Sequence, residues 1–312
     1  MRIEIQELPS IQHEDACGLF NQVFGLALTP RHWRWKFQQG PRLGSVNMVA
    51  RLPDGELIGH LGASVLAGVQ QGRSLPMAQV CDLMIAAGMR GGYGRAGIYP
   101  GLAAAVQQKL AERFAGVYAY GFAGIRPFQL GERMGFNRRL LVCEASTMQA
   151  SARLGLVDAV WSAQEAGWDQ ERLQRLWNRL ADRSVAPMVA RTGEFMCWRY
   201  RDHPDQPYRL WILRRLMRDV GWLVTREMPA GELYVVDALL PETGPAPARS
   251  ACLALRRALS GSATSLPVIK TWLAPRGCKR EATPIVAGEY RVDRWHADLP
   301  TPAFQPGDTD VF

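Results

Sequence analysis

Lysine is scarce in this sequence: of 37 basic residues only Lys36, Lys109, Lys270 and Lys279 are lysine, and the other 33 are arginine. There is no Cys-x-x-Cys pair and no metal-ligand spacing, since Cys17, Cys81, Cys143, Cys197, Cys252 and Cys278 lie far apart. That excludes a cysteine-based metal module and predicts reduced thiols, most of them in the core. No run approaches the roughly 18 uncharged apolar residues that a membrane span needs. The opening MRIEIQELPS carries Glu4 and Glu7 and lacks an apolar segment, so no secretory signal is expected there. A cytoplasmic protein is therefore expected. The Gly-Lys-Ser/Thr of a P-loop is missing, as are recognition-helix, RNP and zinc-finger patterns, so nucleic acid is not an expected partner.

The 312 residues are 47% apolar and 21% charged, enough for a sizeable core and long enough for two domains. The net charge of +8 is uneven, with twelve arginines against six acids between Glu171 and Arg226. Planar guanidinium groups make bidentate contacts with phosphates and carboxylates, so a basic face here would attract an acidic or phosphorylated partner. Genomic composition bias is the plain alternative.

Periodicity predicts a strand at Ile3–Leu8, then a helix with Ala16, Leu19, Phe20 and Val23 on one face. A second helix opens at Thr29-Pro30 and carries Trp33, Trp35 and Phe37. Alternating runs over Ser45–Arg51 and Glu56–Val69, joined by Pro53-Asp54-Gly55, read as a hairpin. Ala78–Ala86 is apolar on both faces, as a mid-sheet strand is, and Asp82 is its only charge. A helix bearing Ile98, Leu102, Val106 and Leu110 follows, then a strand (Val117–Phe122), a short helix (Pro127–Met134) and strands at Arg139–Met148 and Ala152–Val160. The fold class expected is α/β, with an α+β mixed sheet.

The second half repeats this outline. Trp33-Arg-Trp-Lys-Phe37 is echoed by Trp198-Arg-Tyr-Arg201, 165 positions later, and the lone Asp82 by Asp237, 155 positions later. Strand-like runs (Tyr208–Arg214, Val220–Arg226, Glu232–Leu239), a helix (Ala248–Leu259) and a strand (Leu266–Leu273) complete a duplicated copy. The expected boundaries are 1–160, a helical linker over 161–190, and 191–312.

Between the Asp82 strand and its helix, residues 88–97 hold five glycines, with Arg90 and Arg95 among them. Strand, glycine turn and helix start together make an anion site, because the first helical amides point outward unpaired and glycines admit a phosphate closely. A glycine loop without ligand is the alternative reading.

Residues Asp82–Ala87, Gly94–Leu102 and Tyr120–Gly124 through Leu130–Phe136 resemble the GNAT superfamily of acyl-CoA-dependent N-acyltransferases. The resemblance implies two tandem GNAT-like domains, the second degenerate, with acetyl-CoA or another acyl-CoA as co-substrate and no metal. Two splayed strands would hold the pantetheine arm, with the acyl carbonyl near the Met84 or Ile85 amide. The diphosphate would rest on Gly91, Gly92, Gly94, Arg95, Ala96 and Gly97, flanked by Arg90 and Ile98. Family members commonly place a tyrosine four residues before the glycine of a Gly-Phe pair, where it protonates the departing thiolate. Here that position is Gly131, and Tyr99 and Tyr120 are the hydroxyls that could replace it, Tyr120 being the candidate carried forward; a packed aromatic is the alternative for both.

Acyl transfer needs a neutral amine, hence a base. Asp82 is the first candidate, as a desolvated carboxylate on a doubly apolar strand, against a buried, hydrogen-bonded structural aspartate. Glu144 is the second, and His60 is either a cleft group or a structural histidine. In the second copy the loop reads Pro241-Glu-Thr-Gly-Pro-Ala-Pro-Ala248, where three prolines remove donors and Glu242 repels a diphosphate, so no coenzyme is expected there. The expected activity is acyl transfer from acyl-CoA to a primary amine of a small molecule or amino sugar, by a monomer or homodimer. A Fem-type aminoacyl or acyl transferase and a catalytically silent GNAT-fold scaffold are the alternatives.

Overall fold

A computed structural model describes residues 3–9, 13–90, 97–148, 155–181, 185–260, 268–292 and 299–309. The chain forms two compact units, neither of them contiguous: the first takes residues 1–141, 186–190 and 285–301, the second 142–185, 191–284 and 302–312.

The first unit begins with β1 (Glu4–Glu7), α1 (His13–Phe24) and α2 (Pro30–Phe37). Thr29 caps α2 by accepting from the His32 amide at 3.1 Å, and Pro30 occupies its first turn, as the sequence predicts. Strands β2 (Arg42–Arg51), β3 (Leu57–Gln70) and β4 (Arg73–Ile85) form an antiparallel meander, β2 and β3 joined through Pro53-Asp54-Gly55. Helix α3 (Ile98–Arg113) then packs Ile98, Leu102, Val106 and Leu110 on the sheet. Strand β5 (Tyr118–Gly124), α4 (Ile125–Arg133) and the start of β6 (Asn137–Met148) follow.

Strand β4 is irregular. Its pairing with β3 slips between His60↔Met84 and Gly62↔Cys81, so β4 carries an extra residue there, and Asp82 takes a left-handed φ of +53°. The parallel pairing of β4 with β5 covers only Met77↔Tyr118 to Val80↔Gly121. Past that point the two strands separate, and β5 pairs on its other side with Ile285–Glu289 of the late strand β13 (Lys279–Tyr290).

The second unit contains α5 (Leu156–Ala159), β7 (Trp161–Ala166), α6 (Gln170–Leu180), α7 (Gly193–Met196) with a π-turn at Cys197–Arg201, β9 (Arg209–Arg215), β10 (Arg218–Glu227), β11 (Leu233–Leu239), α8 (Pro245–Ser260) and β12 (Ile269–Thr271). The short strand β8 (Met188–Val189) belongs to the first unit, against β3. Residues 156–159 are helical, where a strand was expected. Asp158 accepts from the Gly155 amide (2.8 Å) and from Ser250 Oγ (2.6 Å), closing a turn that a strand would break.

The duplicated pattern is visible in this unit. Antiparallel β9-β10-β11 is followed by α8, and β11 pairs in parallel with β12 only over Leu233–Val235. Strand β11 also bulges beside its aspartate, the register shifting between Val224↔Asp237 and Thr225↔Val235. Beyond the bulge the open backbone is taken by a side chain: the Gln305 amide accepts from Ala238 N–H (2.6 Å) and donates to Ala238 C=O (2.7 Å).

Asp237 is fully buried and accepts from Arg191 Nε (2.8 Å), Tyr200 Oη (2.9 Å) and Trp222 Nε1 (3.1 Å). Arg191, also fully buried, reaches Asp308 at 2.7 Å. Burial alone disfavours the guanidinium charge, but Asp308 and Asp237 outweigh it and hold its pKa well above the ordinary arginine value. Arg199 donates to the Gly307 and Thr309 carbonyls, which fixes the same final segment. Removing one partner of such a cluster strands a buried charge. Arg191→Met is expected to destabilise the protein by about 3–5 kcal/mol, and Gln305→Ala by only about 1–2 kcal/mol, the loss of hydrogen bonds to one backbone group; urea denaturation measures both.

Candidate functional site

Where β4 leaves β5, the first unit has a cleft of about 390 Å³. Its walls are Leu83 and Ile85 of β4, Ile98 and Tyr99 at the start of α3, Leu130 and Met134 at the end of α4, and Val23 and Phe24 of α1; among the described residues Arg90 is the one charged side chain lining it. The sequence dictates this arrangement. The bulge turns the end of β4 away from β5, and α3 starts at Gly97, whose extended conformation and missing side chain leave the helix without a side-chain cap. Pro100 has no N–H and Gly101 donates to the Gly97 carbonyl, so Ile98 and Tyr99 carry the outward-facing amides of that first turn.

The predicted coenzyme residues divide. Ile85, Arg90 and Ile98 line the cleft, and Arg90 Nε donates to the Ile85 carbonyl at 3.0 Å, so its stem folds back over the strand end. Met84 is fully buried in the core against α1 and α2 and does not line the cleft. Gly97 is the helix cap. Gly91, Gly92, Gly94, Arg95 and Ala96 lie outside the described residues.

The predicted catalytic residues are not brought together. Asp82 has a partner that the sequence did not reveal: Lys36 Nζ donates to its Oδ1 at 2.7 Å, with side-chain exposures of 10% and 7%. Tyr120 is buried on β5, its ring between those of Tyr118 and Phe122, and it does not line the cleft. Glu144 is exposed in the second unit and ion-paired with Arg280.

His60, fully buried on β3, holds the bulge from behind. Its Nδ1 lies 2.8 Å from the Asp82 carbonyl and its Nε2 3.1 Å from the Asn47 side chain. Burial, helped by Lys36 and opposed by the bond to the Asp82 carbonyl, pushes its pKa down to about 4. The ring is therefore neutral, and its one N–H donates to one of the two acceptor oxygens that face it, the Asp82 carbonyl at Nδ1 or Asn47 Oδ1 at Nε2.

Tyr99 is the residue the sequence reading undervalued. Gly131, where a tyrosine was expected, faces its hydroxyl: a Cβ built there would run into Tyr99 Oη and Asn137 Nδ2. The phenol of Tyr99 thus reaches from α3 into the space that a side chain at 131 would enter, at the wall of the cleft. Burial raises its pKa, with Tyr290 adding to the effect, so the hydroxyl stays protonated at neutral pH. The signal in the sequence was the pairing of a glycine at 131 with a tyrosine in the first turn of α3.

No protein-family model matches the chain, and no curated protein matches its sequence. Solved structures do. A GCN5-related N-acetyltransferase from Anabaena variabilis superposes with a TM-score of 0.66 at 11% identity, over 93% of this chain and 73% of that one. A GCN5-related N-acetyltransferase from Kribbella flavida gives 0.63 at 15% identity, over 93% and 71%. Eis1 from Mycobacterium abscessus gives 0.58 at 19% identity, over 93% and 74%. At such identities the likeness is one of fold: the chain has the mixed α/β GNAT fold.

The His60 site makes stability depend on pH. Unfolded, His60 takes a proton near pH 6.5, whereas folded it resists until about pH 4. Its contribution is present above pH 6.5 and is lost as pH falls toward 4, at about 1.4 kcal/mol per unit and about 3 kcal/mol in all. Denaturant melts of the wild type and His60→Gln should show the extra acid slope only in the wild type.

Proposed function

We propose that this protein is an acyl-CoA-dependent N-acyltransferase whose first unit binds the coenzyme and whose acceptor is a primary amine of a small molecule or amino sugar. The observation that carries the reading is the separation of β4 from β5 over an apolar cleft that ends at the uncapped start of α3. An extended apolar arm fits such a cleft, and a diphosphate fits outward amides near Arg90. The amides of residues 91–97 would hold the diphosphate, and the Met84 and Ile85 backbone the acyl carbonyl.

In this reaction the amine nitrogen attacks the thioester carbonyl, the C–N bond forms, and the C–S bond breaks. The nitrogen loses one proton and the sulfur gains one. Tyr99 is our assignment for the acid that protonates the sulfur, because it lines the cleft and stays protonated, whereas Tyr120 does not line the cleft. Asp82, pinned by Lys36, fixes the bulge rather than accepting the amine proton. The second unit is taken as the degenerate copy, its own strand opening being filled by Gln305.

Thermal-shift titration with acetyl-CoA and longer acyl-CoAs tests the reading, since a ligand bound by the native state alone raises the melting temperature. A saturable rise that Gly97→Asp abolishes is expected; no rise with any acyl-CoA leaves the scaffold alternative. Tyr99→Phe should keep the thermal shift while kcat falls on the order of 100-fold, and Tyr120→Phe should keep both.

A further inference from the structure

The second unit has a cleft of about 610 Å³ that the acyl-transfer reading leaves without a role. Three guanidinium groups line it: Arg215 from the end of β9, Arg249 from the second turn of α8, and Arg276 from the turn before β13. Arg215 lies over the ring of Trp161, with its carbon centre 6.0 Å from the centroid, and sits 3.6 Å from Glu242. The Arg249 side chain is three-quarters buried and donates to the Arg276 backbone carbonyl at 3.3 Å.

Charge in the cleft is unbalanced. Among the described residues, two carboxylates, Asp158 and Glu242, line it with the three cations, and Asp158 is occupied already. It accepts from Ser250 Oγ and the Gly155 amide, and these hydrogen bonds with Arg249 and Arg257 lower its pKa against the effect of burial. Its nearest approach to Arg249 is a long 3.9 Å. Arg276 makes no ion pair among the described residues. Like charges held around one concave space repel each other unless an anion joins them.

The local backbone also defines the kind of anion. Helix α8 opens Pro245-Ala-Pro247, so two of its first three residues lack an N–H. Amides therefore cannot build the grip expected at the start of α3, and recognition falls to side chains. Guanidinium forks pair bidentately with the several oxygens of a terminal phosphoryl group.

We propose that this cleft binds a small molecule bearing a terminal phosphate, held by Arg215, Arg249 and Arg276. The assignment does not rest on acyl transfer. Isothermal titration with ribose 5-phosphate, inorganic phosphate and ribose tests it on the full chain. Saturable binding of the phosphates, none of ribose, and at least a tenfold loss in Arg215→Ala/Arg276→Ala are expected; tighter binding of the ester than of free phosphate identifies an ester as the ligand, and equal binding the free ion. Glu242→Gln should tighten binding about threefold, an effect that misfolding does not mimic. No saturable binding overturns the proposal, as does binding lost in Gly97→Asp but kept in the double arginine variant, which would move the anion to the first unit.

Discussion

A carboxylate set inside a β-sheet must meet a buried cation, and in each half of this chain that requirement shapes the strand that carries it. Asp82 of β4 is answered by Lys36, and Asp237 of β11 by Arg191 with Tyr200 and Trp222. Each aspartate lies at or beside a bulge, and parallel pairing with the next strand ends before it, at Val80 in one unit and Val235 in the other. A regular strand would stay paired along its length and leave no opening. The ion pairs are thus better understood as devices that fix a break in the sheet than as a net source of stability, which buried pairs supply poorly.

The same break has two outcomes. In the first unit it leads to an apolar cleft closed by α1, α3 and α4. In the second, Gln305 meets the outer edge of Ala238, whose other side pairs with Leu223, as a neighbouring strand would, with one accepted and one donated hydrogen bond. Arg191 and Arg199 then secure the segment that carries Gln305. One unit keeps the opening as a cleft and the other fills it with its own chain.

Much of this was legible in the residue pattern. The Thr29-Pro30 cap, the Pro53-Asp54-Gly55 hairpin, the apolar stripe of α3 and the echo of Asp82 in Asp237 all report local rules that tertiary contacts left intact. What the pattern hid depends on contacts across long sequence separations. Lys36 and Asp82 are 46 residues apart, and Arg199 and Gly307 are 108. Nothing local marks either pair. Residues 156–159 alternate plausibly as a strand, but Ser250, 92 positions away, joins Asp158 in closing them into a turn. Tyr99 was hidden differently: its meaning lies in a side chain that Gly131 lacks, and only three-dimensional placement sets the two face to face.

Strand β5 has one neighbour, β4, that is made before it and another, residues 285–289 of β13, that is made about 160 positions after it. While the polypeptide emerges from the ribosome, the first unit therefore waits with one strand edge unpaired until residues 285–289 have been made. Such an edge invites pairing with other nascent chains. The arrangement ties completion of the first unit to synthesis of residues 285–289, so a product terminated before them would carry an exposed edge and be a natural client for chaperones or proteases.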